Sequence, residues 1–167
     1  MKNLGNNVLL GIDPGLVQTG WGVISLTGSE VNFIDCGIIR TNSSEKLESR
    51  LITIFNRVNE IVTTYRPSRA AIEEVFVNSN PKTSEKLIMA RTSAYLALSI
   101  AGLQTSEYKP NAVKKNITGS GHAEKRQVWI MVRQILRLDY DSGGGRSVPS
   151  DATDALAIAL CLAFSGY

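Results

Sequence analysis

Soft-metal chemistry has little to work with in this 167-residue chain, which carries one histidine, His122, and two cysteines, Cys36 and Cys161. The cysteines lie far apart inside apolar segments, so no zinc or iron–sulfur ligand spacing is available. They read as buried free thiols in a reducing compartment. No apolar run approaches the roughly 20 residues that span a bilayer. The opening "MKNLGNNVLL" has one lysine and no hydrophobic signal core, so a cytoplasmic protein is expected. Repeats, linkers and low-complexity tracts are lacking, and the length suits a single domain over residues 1–167. Only "YDSGGGRSVPS", residues 140–150, reads as a mobile loop. Charge excess is small as well: 18 basic against 15 acidic residues give +3, which permits a polyanionic partner without arguing for one.

What is present is an orderly alternation of elements. Three apolar stretches, ending at Asp13 and covering 20–26 and 31–40, are joined by links short enough for hairpins. Leu47, Leu51, Ile54, Val58, Ile61 and Val62 recur at helical spacing within 44–65, and Pro67 stops that helix. A strand is expected over "RAAIEEVFV" (69–77), a helix over 83–102, a strand over 103–109 and a short helix over 110–118 with Pro110 in its first turn. Helices over 122–138 and 150–164 complete the chain, the last apolar nearly all round. Consecutive strands first and alternation later predict an α/β fold with a mixed sheet covered by helices on both faces.

Two features of charge stand out. Residues 109–137 hold Lys109, Lys114, Lys115, Lys125, Arg126, Arg133 and Arg137 against the single acid Glu124. Conversely, carboxylates stand where apolar patterning predicts burial: Asp13 at the end of the first strand, Glu73 and Glu74 inside "AAIEEVFV", and Asp151 and Asp154 at the start of the last helix. Each has a plain explanation. Asp13 suits a turn before Pro14 and Gly15, one glutamate could face solvent because neighbours on a strand point to opposite faces, and the helix acids suit a capped N-terminus. Taken together they say more. Asp151 and Asp154 share a side of their helix, and a helix that apolar must put its first turn against the sheet. If that turn meets the strand ends, four carboxylates converge. Such a cluster needs cations, and all-oxygen ligands suit Mg²⁺, two ions of which form the usual arrangement for in-line displacement at phosphodiesters.

The stretches "GIDPGLVQTGWGVI", "AIEEVF", "GSGHAEKRQV" and "DATDALAIAL", in that order, resemble the successive motifs of the RuvC family of bacterial Holliday-junction resolvases, from about residue 8 to 165. The resemblance implies a ribonuclease H-like, five-stranded mixed sheet flanked by helices. It implies a homodimer that nicks opposed strands of a four-way DNA junction with two Mg²⁺ per subunit, Mn²⁺ substituting, and a RuvA–RuvB branch-migration complex as partner. By motif it assigns the metal and catalytic carboxylates to Asp13, Glu73 (rather than Glu74), Asp151 and Asp154. Lys114 and Lys125 follow as DNA-binding residues, Lys125 also near the scissile phosphate, and Phe76 as an aromatic against bases at the crossover. Lys115, Arg126 and Arg91 are expected on backbone phosphates, His122 on a DNA-side loop or plain surface, and the helix 84–101 at the dimer interface. Two other readings use the same residues. A non-catalytic junction-binding module would bind without cutting. An actin-like nucleotide-binding fragment would share "GIDPG…TG" but needs a second domain and a second phosphate loop.

Overall fold

The computed structural model describes residues 7–76, 81–138 and 148–165. Its elements are β1 (Asn7–Asp13), β2 (Gln18–Thr27), β3 (Glu30–Arg40), α1 (Leu47–Tyr65), β4 (Arg69–Glu73), α2 (Pro81–Ile100), β5 (Gln104–Tyr108), α3 (Pro110–Thr118), α4 (Lys125–Ile135) and α5 (Ser150–Phe164). The strands form one sheet in the order β3-β2-β1-β4-β5. The hairpin-linked pairs β1–β2 and β2–β3 are antiparallel, whereas β1–β4 and β4–β5 are parallel. This is the expected mixed sheet, because only a helical crossover can return a strand parallel to its neighbour.

Period-two alternation divides the core between two faces. Leu10, Ile12, Val23, Ala70 and Ile72 pack with Ile54, Val58, Ala94 and Leu98 of α1 and α2. Leu9, Ile24 and Ala71 pack on the other face with Val113, Val128, Val132 and the apolar length of α5. That second face is closed by α5, whose residues Ala155 through Leu160 are fully buried. It lies so close to the sheet that side chains are excluded beneath it. A Cβ at Gly11 would stand 2.1 Å from the Ala155 carbonyl oxygen, at Gly20 2.0 Å from that of Asp151, and at Gly22 2.7 Å from the Leu156 side chain. Three glycines on β1 and β2 therefore set the height of α5, and with it the position of its first turn.

Several boundaries differ from the sequence reading. β4 stops at Glu73 instead of continuing to residue 77, because Asp13 ends β1 on one side and Tyr108 ends β5 on the other. A strand without partners on either side has no ladder to continue. Phe76 thus lies beyond the strand, 52% exposed, and Val77 falls outside the described residues. α4 begins at Lys125 rather than His122, since Glu124 and Gln127 form a reciprocal capping box there. α1 begins at Leu47, after a turn in which the Asn42 side chain accepts from the Ser44 amide and hydroxyl. The helix expected over 83–102 runs from Pro81 to Ile100. The glycine-rich stretch expected to be a mobile loop lies mostly outside the described residues, at 139–147. Both cysteines are free thiols, Cys161 buried and Cys36 half-buried.

Candidate metal centre and nucleic-acid face

Asp13 is the last residue of β1. Residues 9, 11 and 13 share a strand face, so its carboxylate points to the side on which Leu9 packs and α5 lies. The turn behind it is fastened at several points. The Thr19 hydroxyl, fully buried, donates to the Gly15 carbonyl at 2.7 Å. Arg50, a buried cation on α1, donates to Thr41 Oγ1 at 2.9 Å and to the Leu16 carbonyl at 3.3 Å. Thr41 in turn donates to the same Leu16 carbonyl at 2.5 Å. These contacts were not anticipated, although Arg50 stands in the apolar stripe of α1, three residues after Leu47 and four before Ile54. A charge in that row is the sequence signal for it.

α5 opens at Ser150 with Pro149 at the N-cap position and no side-chain cap hydrogen bond. Asp151 and Asp154 are therefore not capping residues. Each offers a carboxylate oxygen that, with one of Asp13, forms a group lying within 4.8 Å of one another. Glu73 is not in that triad. Ala71 packs on the α5 face and Ile72 on the opposite one, so alternation places Glu73 on the same face as Asp13. It is close enough that its charge contributes to lifting Asp13. Glu74, one residue on, turns its amide to the Tyr108 carbonyl at 2.8 Å.

The electrostatics record this crowding. Burial above all, then the charges of Glu73, Asp154 and Asp151, push the Asp13 carboxyl up to about 8. Glu73 rises to about 7, again through burial first and the Asp154 charge second. One cation answers directly: Lys125 Nζ donates to Asp154 Oδ2 at 3.1 Å. Proximity to Asp154 raises the Lys125 ammonium in turn. Lys114 is near enough to pull Glu73 downward, so the middle of α3 and the start of α4 both bear on the acids. Lys115 on α3, His122 in the link between α3 and α4, and Arg126 on α4 are all exposed. Arg91 approaches from α2, on the opposite face of the sheet. Its Nε donates to the Glu73 carbonyl at 2.9 Å, its terminal nitrogen pairs with Glu107, and it lies over the Tyr95 ring.

The residues fit a hard divalent cation. Three carboxylates packed together in a half-buried setting, one of them lifted well above its usual range, repel one another unless positive charge is supplied. The donors are all oxygens, as Mg²⁺ or Mn²⁺ prefers. A second surface lies away from this centre. α1 and α2 form an apolar groove of about 480 Å³ lined by Leu51, Ile52, Phe55, Ile88, Met89 and Leu96. Of these, Ile52 and Leu96 are at least half exposed. Among the described residues no helix is long and apolar enough to cross a membrane.

Residues 9–162 match the family model described as crossover junction endodeoxyribonuclease RuvC. A protein of that name from Brucella anthropi is 42% identical over 154 residues, covering 92% of this chain and 86% of the relative. Another from Rhodospirillum rubrum is 43% identical over 153 residues, covering 92% and 87%. Among solved structures, Thermus thermophilus RuvC in complex with Holliday junction substrate superposes with a TM-score of 0.84 at 34% identity, over 95% of this chain and 93% of that one.

Proposed function

The chain belongs to the RuvC family of crossover junction endodeoxyribonucleases, and from that premise we propose that it resolves four-way DNA junctions by metal-dependent phosphodiester hydrolysis on opposed strands. The observation that carries this reading is the meeting of Asp13, Asp151 and Asp154 at one end of the sheet, with Glu73 beside them.

Asp13 and the α5 acids would hold one divalent ion, and Asp13 with Glu73 a second. When bound, such a pair supplies activation of the attacking water and neutralisation of the leaving 3′ oxygen. The chain's own residues do the rest. The turn directly behind Asp13 is fastened at the Gly15 and Leu16 carbonyls by Thr19, Thr41 and Arg50, which limits how far the strand end can move. Lys125 restrains Asp154 and would help to position the scissile phosphate. Lys114, Lys115 and Arg126 bind backbone phosphates, a sequence-independent and salt-sensitive contribution. Phe76, exposed just past Glu73, would stack on bases at the crossover.

A junction offers two equivalent strands, which a two-fold dimer matches. The apolar groove of α1 and α2 supports that assembly, because so much exposed aliphatic surface on one face is otherwise unfavourable. Two ions per subunit, with Mn²⁺ as a substitute, a cytoplasmic setting and a RuvA–RuvB partner complete the proposal. The actin-like reading is set aside, since the match spans residues 9–162 within one family. Incubation of a synthetic four-way junction with and without Mg²⁺, beside a linear duplex, tests the function: metal-dependent nicking confined to the junction is expected. Tight binding without nicking would favour the junction-binding module instead.

A further inference from the structure

We infer that Arg91 is a positioning residue for Glu73, closing the C-terminal end of β4 from the α2 side and thereby fixing where the Glu73 carboxylate stands. The inference rests on the metal-nuclease reading and deepens it.

Glu73 occupies an awkward place in the sheet. It is the last residue of β4, paired in register with Tyr108, the last of β5, while β1 pairs with β4 only as far as Ile72. Beyond Glu73 the chain leaves the ladder, and the Glu74 amide turns to the Tyr108 carbonyl at 2.8 Å. The φ rotation of a strand-end residue moves its Cβ and its carbonyl together, so the side chain is fixed in direction only when the peptide that follows is held as well. Arg91 holds the carbonyl end of that peptide, as the Tyr108 carbonyl holds its amide end. Its Nε donates to the Glu73 carbonyl oxygen at 2.9 Å. Its other arm is ion-paired to Glu107 on the neighbouring strand, and its plane rests 5.6 Å from the centre of the Tyr95 ring. Three elements are thus joined through one guanidinium whose side chain is only 19% exposed. A planar fork with several fixed donors suits such bridging, which a lysine ammonium cannot reproduce.

Its direction of approach separates this role from a phosphate contact. The cations felt by the Glu73 carboxylate are Lys125 and Lys114, on the side of the sheet covered by α3, α4 and α5. Arg91 reaches the same residue from α2, which packs on the opposite face, and touches its main chain. It therefore acts on where the carboxylate is held.

The test uses the full chain carrying Arg91→Ala, Arg91→Lys or Glu107→Gln. Melting temperature, junction affinity without metal over a range of salt, and cleavage at saturating junction over a range of Mg²⁺ are measured for each. Arg91→Ala is expected to keep the junction affinity and its salt slope. Its saturated cleavage should fall by about tenfold to a hundredfold, the scale set by small misplacements of reacting groups, with half-saturation moved to higher Mg²⁺. Arg91→Lys should fall between Ala and wild type, and serves in place of Ala if the latter does not fold. Glu107→Gln leaves the bond to Glu73 in place and should stay nearer wild type than either. A shallower salt slope with undiminished saturated cleavage would make Arg91 a phosphate contact and overturn the inference. So would a lowered melting temperature with unchanged Mg²⁺ dependence and saturated cleavage. Wild type failing to cut the junction would instead overturn the nuclease reading.

Discussion

Replacing Asp13 by Asn should stabilise the metal-free protein while removing its activity. In the folded chain burial, then the charges of Glu73, Asp154 and Asp151, lift the Asp13 carboxyl from its ordinary 3.8 to about 8. A raised folded-state value means that the folded protein binds more protons than the unfolded one between those limits. The stability so gained is complete below 3.8 and is lost progressively as pH rises to about 8. Integrating that difference gives a loss of about 2 kcal/mol at pH 5 and about 4 kcal/mol at pH 7. Asparagine does not titrate and escapes it. For a chain of this size the pH 7 figure corresponds to a rise in melting temperature on the order of 10 °C. Melting curves of wild type and Asp13→Asn, at both pH values and with and without Mg²⁺, measure it. The gap between the two proteins should widen from pH 5 to pH 7 without metal. Millimolar Mg²⁺ should raise the wild type and move the variant much less, since stabilisation by a ligand follows its affinity. A gap that is absent or independent of pH would refute the claim that Asp13 is held in an acid cluster.

Glu73→Gln should abolish junction cleavage and spare binding, whereas Glu74→Gln should cut at close to the wild-type rate; gel assays on one labelled junction compare them. Lys114→Ala and Lys115→Ala should each weaken junction binding and shallow the slope of log affinity against log salt by roughly one charge's worth. Lys125→Ala removes the cation that lowers Asp13, so the rise of the cleavage rate with pH should move to higher pH than in wild type. Gly20→Ala would put a Cβ 2.0 Å from the Asp151 carbonyl oxygen; overpacking there should cost about 1–3 kcal/mol in a denaturant melt and reduce the thermal shift given by Mg²⁺.

Most of the architecture was legible because two periodicities are strong here. The strand ending at Asp13, the short helix 110–118 and the apolar helix 150–164 have the observed limits. Limits failed where a neighbour decides them. Nothing local in "AIEEVF" says that β4 must stop when β1 and β5 run out, and nothing near His122 outweighs the capping box that starts α4 three residues later. The carboxylates were legible as residues out of place, but their grouping required knowing how deep α5 sits, which depends on Gly11, Gly20 and Gly22 meeting the helix backbone. Glycine in a strand marks a close approach without naming what approaches. Arg91 was legible only as a basic residue on a helix; its bond to the Glu73 carbonyl depends on the crossover geometry between α2 and the end of β4. Glu107 gave no sign at all, since an acid on an edge strand reads as a solvent-facing residue.

The most direct test of the whole account is a strand-resolved cleavage experiment on a four-way junction with each strand labelled in turn. With Mg²⁺, wild type should nick two opposed strands at symmetry-related positions and release two nicked duplexes. The same reaction should stop in Asp13→Asn and without metal, while the junction stays bound in both. Nicks on all four strands alike, equal cutting of a linear duplex, or cleavage that persists in Asp13→Asn would contradict it.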